Sequence, residues 1–342
     1  MRTAHSDRVL PMANESAAAK RPHSLSVVVP VFRGERSLKA VVEELFAQRE
    51  RFEAHTPPIE LKEIILVHDC GPDGSDEVMR QLSRENSIVK NVWLARNSGQ
   101  HAATLAGMAS SSGDWIVTVD EDGQHDPAAI PGMLQCALRE KADLVYGRPV
   151  NPPPHSATRN LASRLTKKVF LPILTGGKVQ YFSSFRLVLG EMGRSLAAFA
   201  SNDVYLDVAL SWVTRSAATH DVTLREESRK TSGYSTRSLT SHFMRLVLSA
   251  GTRPLRIASV LGGGSFVTGL VIAGAVAVRK IWYGFDVVGW ASMFSLLLII
   301  GGFILLVLGI IAEYVGLLVR TAIGRPLYVI TNDRADGPLY RD

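Results

Sequence analysis

Through the first two thirds of the chain, apolar residues cluster in short runs separated by longer amphipathic stretches. The runs at residues 25–31, 62–68, 91–95, 115–119 and 143–147 are rich in Val, Ile and Leu. Runs of that length and composition predict buried β-strands. Between them, residues 35–49 and 98–112 predict helices, and Ser75 stands where it can cap a third. Strands alternating with helices predict an α/β domain with a mostly parallel, doubly wound sheet. In such sheets ligands bind beyond the carboxyl ends of the strands. Asp69, Asp120 and Asp122 all follow strand runs directly.

The C-terminal third has a different pattern. Residues 257–278 are apolar or small throughout, and residues 287–319 are interrupted only by Glu313. Each run exceeds the ~20 residues needed to cross a hydrocarbon core. Residues 279–286, with Arg279, Lys280, Trp282 and Tyr283, form a short connection. The expectation is a two-helix transmembrane hairpin over residues 256–320. Arg253, Arg256, Arg320 and Arg325 flank its outer ends, against two cations in the connection. That bias puts both outer ends, and the catalytic domain, on the cytoplasmic side of the cell membrane. Residues 159–174 and 237–248 mix Lys and Arg with Leu, Val and Phe, the pattern of segments lying in a membrane interface. The predicted organisation is a disordered tail (1–23), a catalytic domain (24–235, with an interfacial segment at 159–174), an interfacial helix (236–255), the hairpin (256–320) and a cytoplasmic tail (321–342).

Composition removes several alternatives. The net charge of +6 comes without a dense basic stripe, so nucleic acid is not an expected partner; a mild excess suits an anionic membrane surface. Cys70 and Cys136 stand in no CxxC or Cys/His cluster, which argues against zinc and disulfide frameworks. No GxGxxG or GxxxxGK[ST] accompanies the strands, so dinucleotide and P-loop readings fail.

Residues 120–127 read Asp-Glu-Asp-Gly-Gln-His-Asp-Pro directly after a buried strand. Carboxylates at positions i and i+2 of an extended turn can face one ligand. Hard oxygen donors suit Mg²⁺ or Mn²⁺ carrying a diphosphate, and Gln124 offers a further oxygen.

The segments VVPVF at 28–32, HDCGPDGS at 68–75, ARNSG at 95–99, VDEDGQ at 119–124 and SFRL at 184–187 occur in the order seen in family 2 glycosyltransferases with a GT-A fold. With the two apolar C-terminal runs, the chain resembles the polyisoprenyl-phosphate glycosyltransferases, relatives of dolichol-phosphate mannose synthase and the bactoprenol glucosyltransferases. The resemblance implies a hexosyltransferase that moves a sugar from a nucleotide-sugar donor, a UDP-sugar in preference to a GDP-sugar, to a polyisoprenyl phosphate with inversion. It further implies a homo-oligomer, with a tetramer as one form. It implies that Pro30, Phe32 and Glu35 hold the nucleoside, that Asp69 accepts a hydrogen bond from the base, and that Arg96 approaches the donor. Asp120 becomes the ribose- or metal-side carboxylate, with Asp122 and Gln124 as metal ligands. Arg148 and Arg186 become the cations near the transferred phosphates and the acceptor, with Arg164 and Lys168 as further acceptor-phosphate candidates. Residues 229–235 match a mobile loop.

Three positions depart from the family pattern. His68 replaces an Asp, Gly34 replaces an acidic residue, and the segment before Phe185 lacks an Asp. The alternatives are a processive polysaccharide synthase and a non-catalytic scaffold. The absence of QxxRW counts against the first, and the retained Asp120-x-Asp122-x-Gln124 against the second.

Overall fold

A computed structural model describes residues 21–151, 181–199, 205–225, 289–323 and 326–337, with scattered positions between 262 and 282. The expected interfacial segment at 159–174, the interfacial helix at 236–255, the loop at 229–235 and nearly all of the N-terminal tail lie outside these residues.

Chain order is β1 (His23–Val31), α1 (Leu38–Ala47), α2 (Arg49–Glu53), β2 (Ile59–His68), α3 (Ser75–Glu85), β3 (Val89–Leu94), α4 (Gln100–Ala109), β4 (Trp115–Thr118), α5 (Ile130–Glu140) and β5 (Leu144–Pro149). Then follow β6 (Arg186–Leu189), α6 (Gly190–Phe199), α7 (Leu206–Val213), β7 (Ala217–Val222), α8 (Trp290–Ile323) and β8 (Ile330–Thr331). The strands form one sheet in the order β7-β5-β6-β4-β1-β2-β3-β8.

The half around β1 is parallel, as expected: β1 pairs with β2 and β4, and β2 with β3. The sheet as a whole is mixed: β5 pairs parallel with β7, but two strands run against their neighbours. β6 runs antiparallel between β4 and β5, and β8 runs antiparallel to β3 at the edge. The insertion of β6 sets the residue before Phe185 against the end of β4.

The near-continuous apolar runs reflect burial on both faces of the sheet. Along β1, Val27, Val29 and Val31 pack in one cluster with α1, α3 and α5 residues such as Leu38, Met79 and Ile130. Val28 packs on the opposite face with α4, α6 and α7 residues such as Ala103, Leu196 and Leu210. This two-residue period is the strand pleat expressed as two cores. Pro30 is buried in β1, two residues beyond the last β1–β4 pair, Val28↔Thr118, where the ladder on that side has ended.

Ser75 does not cap α3 as expected. Gly74 occupies the cap position without a side-chain bond. The Ser75 hydroxyl instead donates to Asp73 and accepts from the Gly34 amide at 3.1 Å, so it ties two loops together.

The C-terminal apolar region contains α8, 34 residues long, a length of about 51 Å at 1.5 Å per residue. Met293, Leu297, Leu305 and Leu318 stand exposed along it. A Cβ added at Gly262, in the preceding apolar run, would lie 3.9 Å from the Phe303 ring. Among the described residues, no helical run is long and apolar enough to cross a membrane. Beyond α8 the chain returns to the sheet. Leu327 and Tyr328 pack against the second core, and Ile330 and Thr331 pair with Leu94 and Trp93.

Candidate functional site

The site forms at the carboxyl ends of β1, β2 and β4, where three loops leave the sheet side by side. Val119 still donates to the Val28 carbonyl, at 3.0 Å, so residue 120 is the first free of the ladder. Its Oδ1 accepts from Gln100 Nε2 and its Oδ2 from the Ser184 hydroxyl, both at 2.6 Å. The Asp120 amide donates to His125 Nδ1 at 3.1 Å. His125 is buried and stacks on Phe185, with ring centroids 4.8 Å apart. Elements 20 and 64 residues away thus orient one carboxylate.

The turn after Asp120 sends its three acidic side chains to different tasks. Glu121 turns back to β1, where it accepts from the Phe32 amide at 2.9 Å and the Arg33 amide at 3.0 Å. Burial raises its pKa, while these two donors lower it. Asp122 is half-buried, and its Oδ1 accepts from the Gln124 amide at 3.0 Å. Gly123 takes φ +76°, the left-handed conformation that closes the turn. Asp126 accepts from the Ala128 amide at 2.9 Å and caps the short helical turn before α5.

Among the described residues, no group of three or more His, Cys, Asp or Glu side chains could hold a metal by itself. Asp120 and Asp122 suit an ion whose remaining ligands are water and diphosphate oxygens, the usual manner of Mg²⁺. The two carboxylates therefore fit a metal delivered with a nucleotide. Gln124 contributes its backbone to the turn: its carbonyl accepts from the Arg225 amide at 3.0 Å.

Of the expected nucleoside residues, Phe32 and Glu35 lie on the loop that Glu121 holds. The Glu35 amide donates to Asp73 Oδ2 at 3.2 Å, and Glu35 Oε2 accepts from the Gly74 amide at 3.3 Å. The loops after β1 and β2 are thereby joined. Asp69 is buried, and its two oxygens accept from the Ser98 amide at 2.6 Å and the Gly99 amide at 2.8 Å. Burial raises its pKa and those amides lower it. Its carboxylate shapes the loop that opens α4. Arg96 is exposed on that loop. His68 departs from the family pattern; burial lowers its pKa, and its Nε2 has no hydrogen-bond partner among the described residues.

The expected phosphate-binding arginines separate. Arg148 lies exposed on β5 and pairs with Asp221 of β7 at 2.6 Å. Arg186 is 3% exposed, and its Nη1 lies 2.5 Å from Asp207 Oδ1, which also accepts from the Tyr146 hydroxyl at 3.0 Å. The Arg186 charge is thus met inside the protein. Arg164 and Lys168 lie outside the described residues.

Sequence reading missed Gln100, Glu121 and His125 as organisers of the site. His125 and Glu121 were visible within the acidic motif, but their direction depends on the turn. Gln100 carried no local signal.

The candidate site is thus a set of strand-end carboxylates at the carboxyl edge of a mixed α/β sheet. A family model described as "Glycosyl transferase family 2" matches residues 26–193. The chain is 30% identical over 315 residues to the undecaprenyl-phosphate 4-deoxy-4-formamido-L-arabinose transferase of Pseudomonas aeruginosa (strain LESB58), with 90% of this chain and 89% of that one covered. It is 28% identical over 310 residues to the protein of the same name from Photorhabdus laumondii, covering 90% and 93%. Glucosyl-3-phosphoglycerate synthase from Mycobacterium tuberculosis, solved with phosphoglyceric acid, matches at 17% identity and a TM-score of 0.47 over 69% of this chain and 81% of that one. The chain belongs to glycosyl transferase family 2 and is a glycosyltransferase.

Proposed function

We propose that this enzyme transfers a sugar from a nucleotide donor, UDP-linked in preference to GDP-linked, to a polyisoprenyl phosphate at the cytoplasmic face of a membrane, with inversion at the anomeric carbon. The observation that carries this reading is the Asp120–Asp122 turn at the carboxyl end of β4, with Asp120 oriented by Gln100 and Ser184. The names of the two relatives support the lipid-phosphate acceptor.

In this reading a phosphate oxygen of the lipid attacks the anomeric carbon as the bond to the nucleoside diphosphate breaks. The nucleophile is already anionic near neutral pH, so no protein base has to remove a proton. That suits a site whose nearby carboxylates are engaged in orienting loops. Mg²⁺ or Mn²⁺, held by Asp120 and Asp122 with Gln124 nearby, would neutralise charge on the departing diphosphate. Pro30, Phe32, Glu35, Asp69 and Arg96 would build the nucleoside pocket, Pro30 and Asp69 by shaping it. Exposed Arg148 can exchange Asp221 for a phosphate, and Arg164 and Lys168 would supply further charge. Arg186, paired with Asp207, would support the end of β6 next to Ser184.

The two apolar runs of the sequence, at 257–278 and 287–319, the exposed apolar side chains of α8 and the approach of Gly262 to Phe303 support a membrane hairpin. Both outer ends would then be cytoplasmic, and a cysteine placed at Tyr283 should label from the opposite side. A homo-oligomer, a tetramer among its forms, completes the proposal.

The deciding experiment incubates membranes carrying the protein with a panel of radiolabelled sugar nucleotides and undecaprenyl phosphate. Label should appear in the lipid fraction, dependent on a divalent cation. Transfer to a soluble sugar hydroxyl instead would overturn the acceptor.

A further inference from the structure

We propose that the segment after α8, residues 326–337, is a working part of the donor site, and that Arg334 contacts the nucleoside diphosphate. The proposal rests on the nucleotide-sugar reading above and adds to it a residue far from every motif.

The segment is fastened to the catalytic domain at three levels. Leu327 and Tyr328 pack on the core. The Ala95 amide donates to the Val329 carbonyl at 2.9 Å, and Ile330 and Thr331 then add β8 to the edge of β3. Finally Asp333 receives a two-bond clamp from Arg80, Nε to Oδ2 at 2.7 Å and Nη2 to Oδ1 at 2.9 Å, with both side chains mostly buried. Arg80 also lies over the Trp93 ring, 5.3 Å from its centre. Asp333 further accepts from the Ala335 amide at 3.0 Å and so fixes the turn that carries the next residue.

That residue is Arg334. Its Nη2 donates to the Ala95 carbonyl at 3.0 Å and lies 3.5 Å from Cys70 Sγ. Cys70 follows Asp69 at the end of β2, and Ala95 precedes Arg96 at the end of β3. Arg334 therefore bridges the two loops expected to hold the nucleoside. Both of its contacts are to uncharged atoms, and it forms no ion pair with a described residue. A guanidinium carries five donors in a rigid fork and keeps its charge at every physiological pH. One fixed at a strand-end ligand site, with its charge unmatched by a carboxylate, is suited to the oxygens of a nucleotide. The Arg80–Asp333 clamp holds it there without joining the contact.

The test uses the full-length chain in detergent and titrates UDP and GDP, each with Mn²⁺, in the absence of lipid. Arg334→Ala should weaken the preferred nucleotide by about 10- to 100-fold, the worth of one charge-assisted hydrogen bond. Arg334→Lys should fall between. Arg84→Ala, an exposed arginine on α3, serves as the control and should bind like wild type. In transfer assays Arg334→Ala should raise the donor KM and leave the KM for polyprenyl phosphate unchanged. If Arg334→Ala binds nucleotide like wild type, with or without a lower melting temperature, the segment is only a structural strap and the proposal is wrong. If Arg334→Ala loses nucleotide binding but wild type transfers nothing to polyprenyl phosphate, this inference stands and the lipid-acceptor reading falls.

Discussion

A Cβ placed on Gly34 would lie 2.8 Å from Glu121 Oε2, inside any normal contact. The carboxylate fills the space that a side chain at position 34 would need, and from there it accepts from the Phe32 and Arg33 amides. The acidic residue missing from the loop after β1 thus has a neighbour that supplies a carboxylate from the acidic turn after β4. Gly34→Ala and Glu121→Ala should each disorder the loop and raise the donor KM, by about tenfold for a displacement costing about 1–2 kcal/mol. The double variant should recover part of the loss, because removing the carboxylate opens room for the methyl group. Steady-state kinetics of the four proteins checks this; strictly additive effects would disprove the coupling.

Asp122→Ala should abolish transfer in Mg²⁺ or Mn²⁺ while the far-ultraviolet circular dichroism stays that of the parent, since a metal-bound diphosphate loses an anchor. Asp120→Asn should also remove activity but leave the hydrogen bond to Ser184 possible. Full activity of Asp122→Ala, or of wild type in excess EDTA, would refute the metal site.

Arg186→Ala should destabilise the fold by about 3–5 kcal/mol, because it leaves Asp207 buried without its cation. Denaturant unfolding measures this. Arg186→Met combined with Asp207→Leu should restore most of the stability. A fully stable Arg186→Ala protein that binds donor normally yet fails with lipid phosphate would instead assign the arginine to the acceptor.

The start of the sheet contains a pH-sensitive contact. Burial alone would raise the Glu63 carboxyl, but Lys90, Ser26 and Ser112 together hold it down at about 2, against 4.5 ordinarily. Its folded pKa is depressed, so its contribution is complete above about pH 4.5 and is lost as pH falls towards 2. The contribution is about 3 kcal/mol, at about 1.4 kcal/mol per tenfold change in proton affinity. Glu63→Gln should flatten the loss of stability over that interval, measured by thermal melts from pH 6 to pH 3.

The parallel half of the sheet was legible in the sequence because β1, the second half of β2 and β4 are buried on both faces and read as runs rich in Val, Ile and Leu. Strands β6, β7 and β8 were not. β6 is four residues, β7 reads Ala-Ala-Thr-His-Asp-Val, and β8 is two residues; each owes its form to a partner rather than to its own pattern. The acidic turn was legible from its position after a strand, and the structure brings Asp120 and Asp122 to the expected edge. The partners of Asp120 were not legible, since Gln100 and Ser184 reach it only through the packing of α4 and the antiparallel insertion of β6. Arg186 was read as the cation near the acceptor, and nothing in the chain announces that Asp207 lies against it.

The chain leaves the sheet after β5 and re-enters it at β6, and both points are secured. Asn151 exchanges two hydrogen bonds with the backbone of Leu224, at 2.6 and 2.9 Å, and the Gly147 amide donates to the Phe185 carbonyl at 2.9 Å. Asn151 and Phe185 are therefore each tied to the sheet. Substitutions within residues 152–180 should therefore leave Asp120, Ser184 and the loops after β1 and β2 where they are. A chimera that swaps only residues 152–180 between relatives should keep the donor KM of its parent, which separates what the secured sheet holds from what the exchanged stretch adds.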